Sequence, residues 1–348
     1  MKTIFIVDDN DTNLMAAKTA LDGTYKTFAL PSAERMFKLA EKITPDLILL
    51  DVDMPEIDGF EAMRILKADI ILKSIPVVFL TAKHDAESEV RGFEMGALDF
   101  INKPFSQPVL IKRIEMHIET DKLIKESQAA VREIHNATIS VIADMVENRD
   151  KVTGGHIERT QLYLEILVNE LLNSGVYAKE MAAWDLSLLL PSAQLHDVGK
   201  IAISDVILNK PGKLTDEEFL EIQNHCAYGE HIIEQIILKT KDDAFKKKKK
   251  MFAGYHHEKW NGKGYPRGLT GENIPLQGRI MAIADVYDAL VCERPYKKPF
   301  THEKAVEIIK NDSGTHFDPA IIDVFLNIAD DFNGPLVKTL INTSKESA

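Results

Sequence analysis

LILLDVDMPEIDGFE, residues 47–61, begins with four apolar residues and ends that run on a carboxylate, Asp51. So short a continuous apolar run, bounded by acidic and turn-forming residues, predicts a strand buried on both faces. Outward from it, Thr3–Val7, Lys26–Ala29, Val77–Leu80 and Asp99–Ile101 read as strands too, with helical stretches between them. That alternation predicts an α/β, doubly wound, parallel five-stranded sheet with helices on both faces. Functional groups in such sheets collect at the carboxyl ends of the strands. Those ends carry Asp8-Asp9, Asp51, Thr81 and Lys103. Three carboxylates at one sheet edge repel each other unless a cation holds them, and oxygen-only ligands suit Mg2+.

The stretches IFIVDDN (4–10), LILLDVDMPEIDGFE (47–61), VVFLTAK (77–83) and DFINKPF (99–105) follow in order. Together they closely resemble the receiver domain of two-component response regulators, over about residues 1–120. The resemblance implies that Asp51 accepts a phosphoryl group from a cognate histidine kinase. It implies that Asp8, Asp9 and Asp51 hold Mg2+ with the main-chain carbonyl of Asp53, and that Thr81 and Lys103 meet the phosphoryl oxygens. Phe100 takes the place of the family's aromatic switch, and Lys103-Pro104 that of its cis peptide bond.

From about Ile111 to Asn148 the chain has no Gly or Pro, which predicts a long continuous helix with a linker at 121–140. Ile124, Val131, Thr138 and Met145 recur every seven residues, and Ser127, Ile134 and Val141 follow three places on. The seam is imperfect, and two roles stay open: a dimerising signal helix, or a stripe packed on its own neighbouring domain.

Beyond it, 141–348 reads as an all-α domain, with amphipathic stretches near 141–149, 155–173, 179–196, 216–238, 247–257, 277–291, 301–312 and 318–329. His196-Asp197 is the most informative pair there, because Lys200, His225, His256-His257 and Asp285 follow one element after another, and His156 precedes them. Such side chains can project inward from facing helices onto metal ions. Mixed imidazole and carboxylate ligands fit Fe or Mn, with Ni or Zn as further options. Metal ions activate water and neutralise phosphate, so the set predicts phosphoester hydrolysis.

The segments RDKVTGGHIERT (149–160), LHDVGK (195–200), HCAYGE (225–230), HHEKWNGKGYPRGLTGENIPL (256–276), DVYDAL (285–290) and RPYK (294–297) closely resemble the HD-GYP family of cyclic di-GMP phosphodiesterases. By that resemblance His156, His196, Asp197 and Asp285 hold one metal. His225, His256 and His257 hold a second, with Asp197 bridging and Lys200 stabilising transition-state charge. Asp288, Arg294 and Lys297 match the family's substrate contacts. The Gly264-Tyr265-Pro266 loop is read as scaffolding first. Some members carry a third-metal Glu four residues before the first histidine; Val152 stands there, which implies two metals and a linear pGpG product.

Composition sets the outer bounds. The net charge of −12 argues against broad nucleic-acid binding. Cys226 and Cys292 are too few for a disulfide framework, and no apolar stretch resembles a signal peptide or a membrane span. A cytoplasmic protein without membrane partners is expected. Two other functional readings stay open: a cyclic di-GMP receptor that signals by protein contact, and a phosphodiesterase for another cyclic dinucleotide.

Overall fold

The computed structural model describes residues 1–69, 71–82, 86–149, 155–239, 250–293 and 298–346. The chain divides into two compact units, Met1–Val131 and Arg132–Ala348.

In the first unit the strands β1 (Thr3–Val7), β2 (Lys26–Leu30), β3 (Leu47–Asp51), β4 (Val77–Thr81) and β5 (Asp99–Asn102) pair in parallel in the order β2-β1-β3-β4-β5. Phe5, Val7, Ile48, Leu50, Val77 and Phe79 join the core on one face of the sheet. Ile4, Ile6, Leu47, Leu49, Val78 and Leu80 join the core on the other. This two-sided burial explains why the strands read as unbroken apolar runs. Four strands run one residue beyond the expected ends, so Asp51 and Thr81 belong to the last ladder positions.

The helices are α1 (Asp11–Leu21), α2 (Ala33–Ala40), α3 (Gly59–Ala68), α4 (Ala86–Glu94) and α5 (Gln107–Glu147). Polar side chains start three of them: Asn10 accepts from the amides of Thr12 and Asn13, Ser32 from Arg35, and Asp58 from Glu61. Helix α5 continues through the segment read as the linker. Its seam residues Ile124, Val131, Ile134, Val141 and Met145 are all more than half exposed. In the second unit its last turns instead pack Ile139, Ala143 and Val146 against Ile157, Leu195, Val198, Ile233 and Ala253. The apolar stripe and the packed stripe are thus different faces of the helix.

The second unit contains α6 (His156–Ser174), α7 (Ala178–Met181), α8 (Leu186–Ser192), α9 (Asp205–Leu208), α10 (Asp216–Gln223) and α11 (His225–Leu238). They are followed by α12 (Lys250–Tyr255), α13 (Leu276–Val291), α14 (His302–Asn311), α15 (Pro319–Asn327) and α16 (Pro335–Glu346). Its core gathers Tyr163, Leu167, Ile280, Ile283, Tyr287, Phe325 and Phe332. Tyr163 stacks on Phe332 with ring centroids 5.0 Å apart, and Tyr287 meets Tyr163 edge-on at 5.0 Å. Helix α13 is buried almost all round, which fixes the residues near its end.

Three expectations change. The helix expected over 179–196 is α7 and α8 followed by a 3₁₀ turn, Ala193–Leu195. A second 3₁₀ segment, Val198–Ala202, carries Lys200. The stretch 216–238 divides at Asn224, so that His225 opens α11. Helix α16 follows the last amphipathic stretch expected from the sequence.

Candidate metal centres

At the sheet edge of the first unit, Asp8 and Asp51 are buried and Asp9 is exposed, and one oxygen of each lies within 4.8 Å of the others. Lys103 Nζ stands 2.7 Å from Asp8 Oδ2 and 2.7 Å from Asp51 Oδ1. Asp8 Oδ1 also accepts from the Asn10 amide and from Asn13 Nδ2. Burial pushes the Asp51 carboxyl up; the Lys103 hydrogen bond pulls it back and Asp8 raises it further, for a net upward shift. Lys103-Pro104 is cis, and Thr81 is buried at the end of β4. Asp53 is exposed, with its amide 3.4 Å from Asp51 Oδ1. Phe100 is buried, 5.2 Å from Phe79 and 5.1 Å from Phe93 between ring centroids. Its ring fills the space beside Gly92, where a β-carbon would fall 2.3 Å from Phe100 Cζ.

In the second unit two donor clusters form. One comprises Asp197, His225, His256 and His257; the other comprises His156, His196 and Asp285. Asp197 stands between them. Its Oδ1 lies 3.3 Å from His225 Nε2 and 3.7 Å from His256 Nε2, and its Oδ2 lies 3.6 Å from His196 Nε2. Lys200 Nζ reaches the same Oδ2 at 2.7 Å.

The other nitrogen of each ring decides what these contacts mean. His196 Nδ1 donates to the Ala193 carbonyl, His225 Nδ1 to Ile222 and His256 Nδ1 to Phe252. A carbonyl can only accept, so these partners place the hydrogen on Nδ1 and leave Nε2 a lone pair. His156 Nδ1 likewise donates to Asp288 Oδ2 at 2.8 Å. The lone pairs of His225 and His256 therefore face each other at 3.3 Å, and His156 Nε2 meets the His196 Nε2 lone pair at 3.3 Å. Facing lone pairs repel, and a cation between them removes the conflict. The donor set therefore fits metal ions, one for each cluster.

Local charge agrees with this. Burial pushes the His196 and His225 imidazoles down to about 4, so both are neutral donors at neutral pH. His257 is also held well below its ordinary value, first by burial and then by His256 and His225. Burial alone raises the Asp197 carboxyl, but Lys200 and the surrounding imidazoles outweigh it and hold it well below the usual carboxylate range.

The scaffold explains the convergence. Gly199 lets the 3₁₀ segment press against the start of α11, because a β-carbon there would lie 1.9 Å from the His225 carbonyl oxygen and 2.5 Å from the Gly229 amide. Arg149 ties the same segment down, donating to the carbonyls of Ile201 at 2.6 Å and Ile203 at 3.0 Å and to Asp205 at 2.8 Å. After His256 and His257, Glu258 turns inward and is buried, accepting the amides of Arg267 at 2.8 Å and Leu269 at 2.9 Å. The Gly264-Tyr265-Pro266 loop hangs from these bonds, with a cis bond before Pro266 and the Tyr265 ring 4.7 Å from that of His257.

Asp288 differs from its expected role. It is 2% exposed and both of its oxygens are engaged, by His156 and by the guanidinium of Arg159. The structure puts it behind His156, away from any open surface. Arg294, Lys297 and Val152 lie outside the described residues. Sequence reasoning missed Glu147, Arg149, Arg159, Glu258 and Gly199. All five stand within or beside the quoted motifs, so proximity to the candidate donors was the available signal. A small cleft is lined by Glu147, His156, Gln194, Asp197 and Lys200. His117 is buried against Asp99.

Two family models match: the response regulator receiver domain over residues 4–115 and the HD domain over residues 115–321. A probable cyclic di-GMP phosphodiesterase of Vibrio cholerae is 39% identical over 93% of this chain and 77% of its own length. The cyclic di-GMP phosphodiesterase response regulator RpfG of Xanthomonas campestris is 33% identical over 81% of this chain and 75% of its own. A 3'3'-cGAMP-specific phosphodiesterase of V. cholerae is 39% identical over 58% of this chain, which spans 36% of that relative's length. No described helix is long and apolar enough to cross a membrane.

Proposed function

The chain belongs to the HD domain family and carries a response regulator receiver domain, and on that premise we propose that it hydrolyses cyclic di-GMP to linear pGpG under the control of receiver phosphorylation. The observation that carries this reading is the convergence of two donor clusters on the single carboxylate of Asp197. His156, His196, Asp197 and Asp285 would hold one metal, and Asp197, His225, His256 and His257 the other. Fe or Mn suits this mixture of imidazole and carboxylate, with Ni and Zn as further options. When bound, such ions supply water of lowered pKa and neutralise phosphate charge.

The chain's own groups do the rest. Asp197 presents one oxygen to each cluster and so fixes their separation. Lys200, beside Asp197, offers its ammonium to the charge that gathers on the phosphoryl oxygens during attack. Arg294 and Lys297 are assigned to substrate phosphate and guanine on the sequence resemblance alone, as is the two-metal count that rests on Val152. Asp288 leaves the substrate set because its oxygens are already engaged.

In the receiver, Asp51 is the phosphoacceptor for a histidine kinase, with Asp8, Asp9 and the Asp53 carbonyl about Mg2+. Lys103, Thr81 and Phe100 read the added charge, roughly −1.5 to −2. The exposed seam of α5 supports a homodimer. The free cysteines suit a reducing cytoplasm.

The test is anaerobic incubation of Fe- or Mn-loaded protein with cyclic di-GMP, with Asp197→Ala alongside and products separated by chromatography. Linear pGpG from the unaltered protein alone is expected. Tight binding without turnover would replace the enzyme with a receptor. The cGAMP-specific relative favours a second reading, another cyclic dinucleotide as substrate, and faster cleavage of 3'3'-cGAMP in the same assay would establish it.

A further inference from the structure

Behind the Nε2 atoms the two clusters differ in kind. His196, His225 and His256 back onto main-chain carbonyls at 2.9, 2.6 and 2.8 Å. His156 backs onto a carboxylate, Asp288 Oδ2 at 2.8 Å. Arg159 clasps that carboxylate, Nε to Oδ1 at 2.7 Å and Nη2 to Oδ2 at 3.0 Å, and Cys292 Sγ lies 3.4 Å from Oδ1. The side chains of His156, His196, His225, His256, Arg159 and Asp288 are at least nine-tenths buried.

A carboxylate draws the Nδ1 hydrogen more strongly than an amide carbonyl does. It thereby enriches the ring and makes Nε2 a stronger donor to a cation. The Arg159 fork offsets part of the carboxylate's charge but fixes its plane, so the His156 ring is held in one orientation. The same cluster includes Asp285, a second carboxylate, as a direct donor. The opposite cluster has three imidazoles and shares Asp197.

We infer that the two cation positions are unequal: the position at His156, His196 and Asp285 is the tighter and fills first, and Asp288, steadied by Arg159, is the positioning residue that makes it so. This rests on the reading of the clusters as metal sites and is independent of the substrate.

The experiment is a titration of metal-stripped, full-length protein with Mn2+ alone, followed by calorimetry and by electron paramagnetic resonance. An Asp8→Asn chain is titrated in parallel to remove binding at the receiver edge. Two unequal steps are expected, an isolated-ion spectrum giving way to that of a coupled pair. Asp288→Asn should weaken the first step roughly 10- to 100-fold and leave the second nearly unchanged. Arg159→Lys, which keeps the charge and loses the fork, should weaken the same step by less. Two equal steps in the unaltered protein would overturn the inference whatever the variants do. So would an Asp288→Asn chain whose two steps weaken alike or not at all. Because no nucleotide is present, unequal steps with no turnover of cyclic di-GMP would reject the proposed activity and leave this inference standing.

Discussion

Gly199 lies so close to His225 that a β-carbon on it would fall 1.9 Å from the His225 carbonyl oxygen. The contact is backbone against backbone, so no side-chain rotation relieves it. It lets the 3₁₀ segment carrying Lys200 meet the first residue of α11, and it sets Asp197 beside His225.

Gly199→Ala should therefore act on stability and chemistry together. Overpacking of this kind costs about 1–3 kcal/mol. Thermal unfolding should begin at lower temperature, and Mn2+ binding should weaken because Asp197 and His225 are pushed apart. A variant with unchanged melting and metal affinity would show that the contact has slack.

Lys200→Ala should separate catalysis from metal holding. Loss of one preorganised charge at a transition state typically slows turnover by about 10²- to 10³-fold. Metal content should persist, since Lys200 donates no electron pair. Plasma emission spectroscopy beside a turnover assay checks both; metal lost in step with activity would make Lys200 structural.

Asp51→Asn should abolish incorporation of phosphate from a small-molecule phosphodonor into the chain. Any change in phosphodiesterase rate caused by the donor should vanish with it. Labelling that survives would place the phosphoacceptor elsewhere.

Acid should destabilise the metal-free second unit. His196 and His225 are held at about 4 by burial, and His257 is depressed as well, against an unfolded value of ~6.5. Between those values the unfolded chain binds protons that the folded site refuses, so stability falls as pH drops through the window. His156 opposes this. Burial lowers its pKa, yet Asp288 raises it further, so it adds stability at low pH that is lost as pH rises through its folded value. Three depressed groups against one raised leave a net loss from about pH 6.5 to 4. Scanning calorimetry in which the second unit's transition held steady or rose over that range would refute the depressed imidazoles.

The strands and the clustering side chains were legible because each depends on local sequence. A buried strand between two helical layers must be apolar throughout, and a cation needs donors of recognisable chemistry. What escaped depends on contacts between distant segments. No local pattern near residue 199 announces a 3₁₀ turn, because the turn is imposed by α11 pressing on Gly199 and by Arg149 gathering the carbonyls beyond it. Asp288 lies one helical turn from Asp285, and spacing alone made it a neighbour of the site. Only the fold, by bringing Arg159 across from α6, shows that it faces a histidine. The apolar seam residues of α5 are exposed, Ile124, Val131, Ile134, Val141 and Met145.

Glu258 gives the tripeptide His256-His257-Glu258 two tasks in consecutive residues, two rings for the centre and one carboxylate for the loop that bears Tyr265. Loop and ligands thus share a single stretch of main chain, and neither can shift far without dragging the other. A change that shifts Tyr265 therefore moves His257 with it, by leverage.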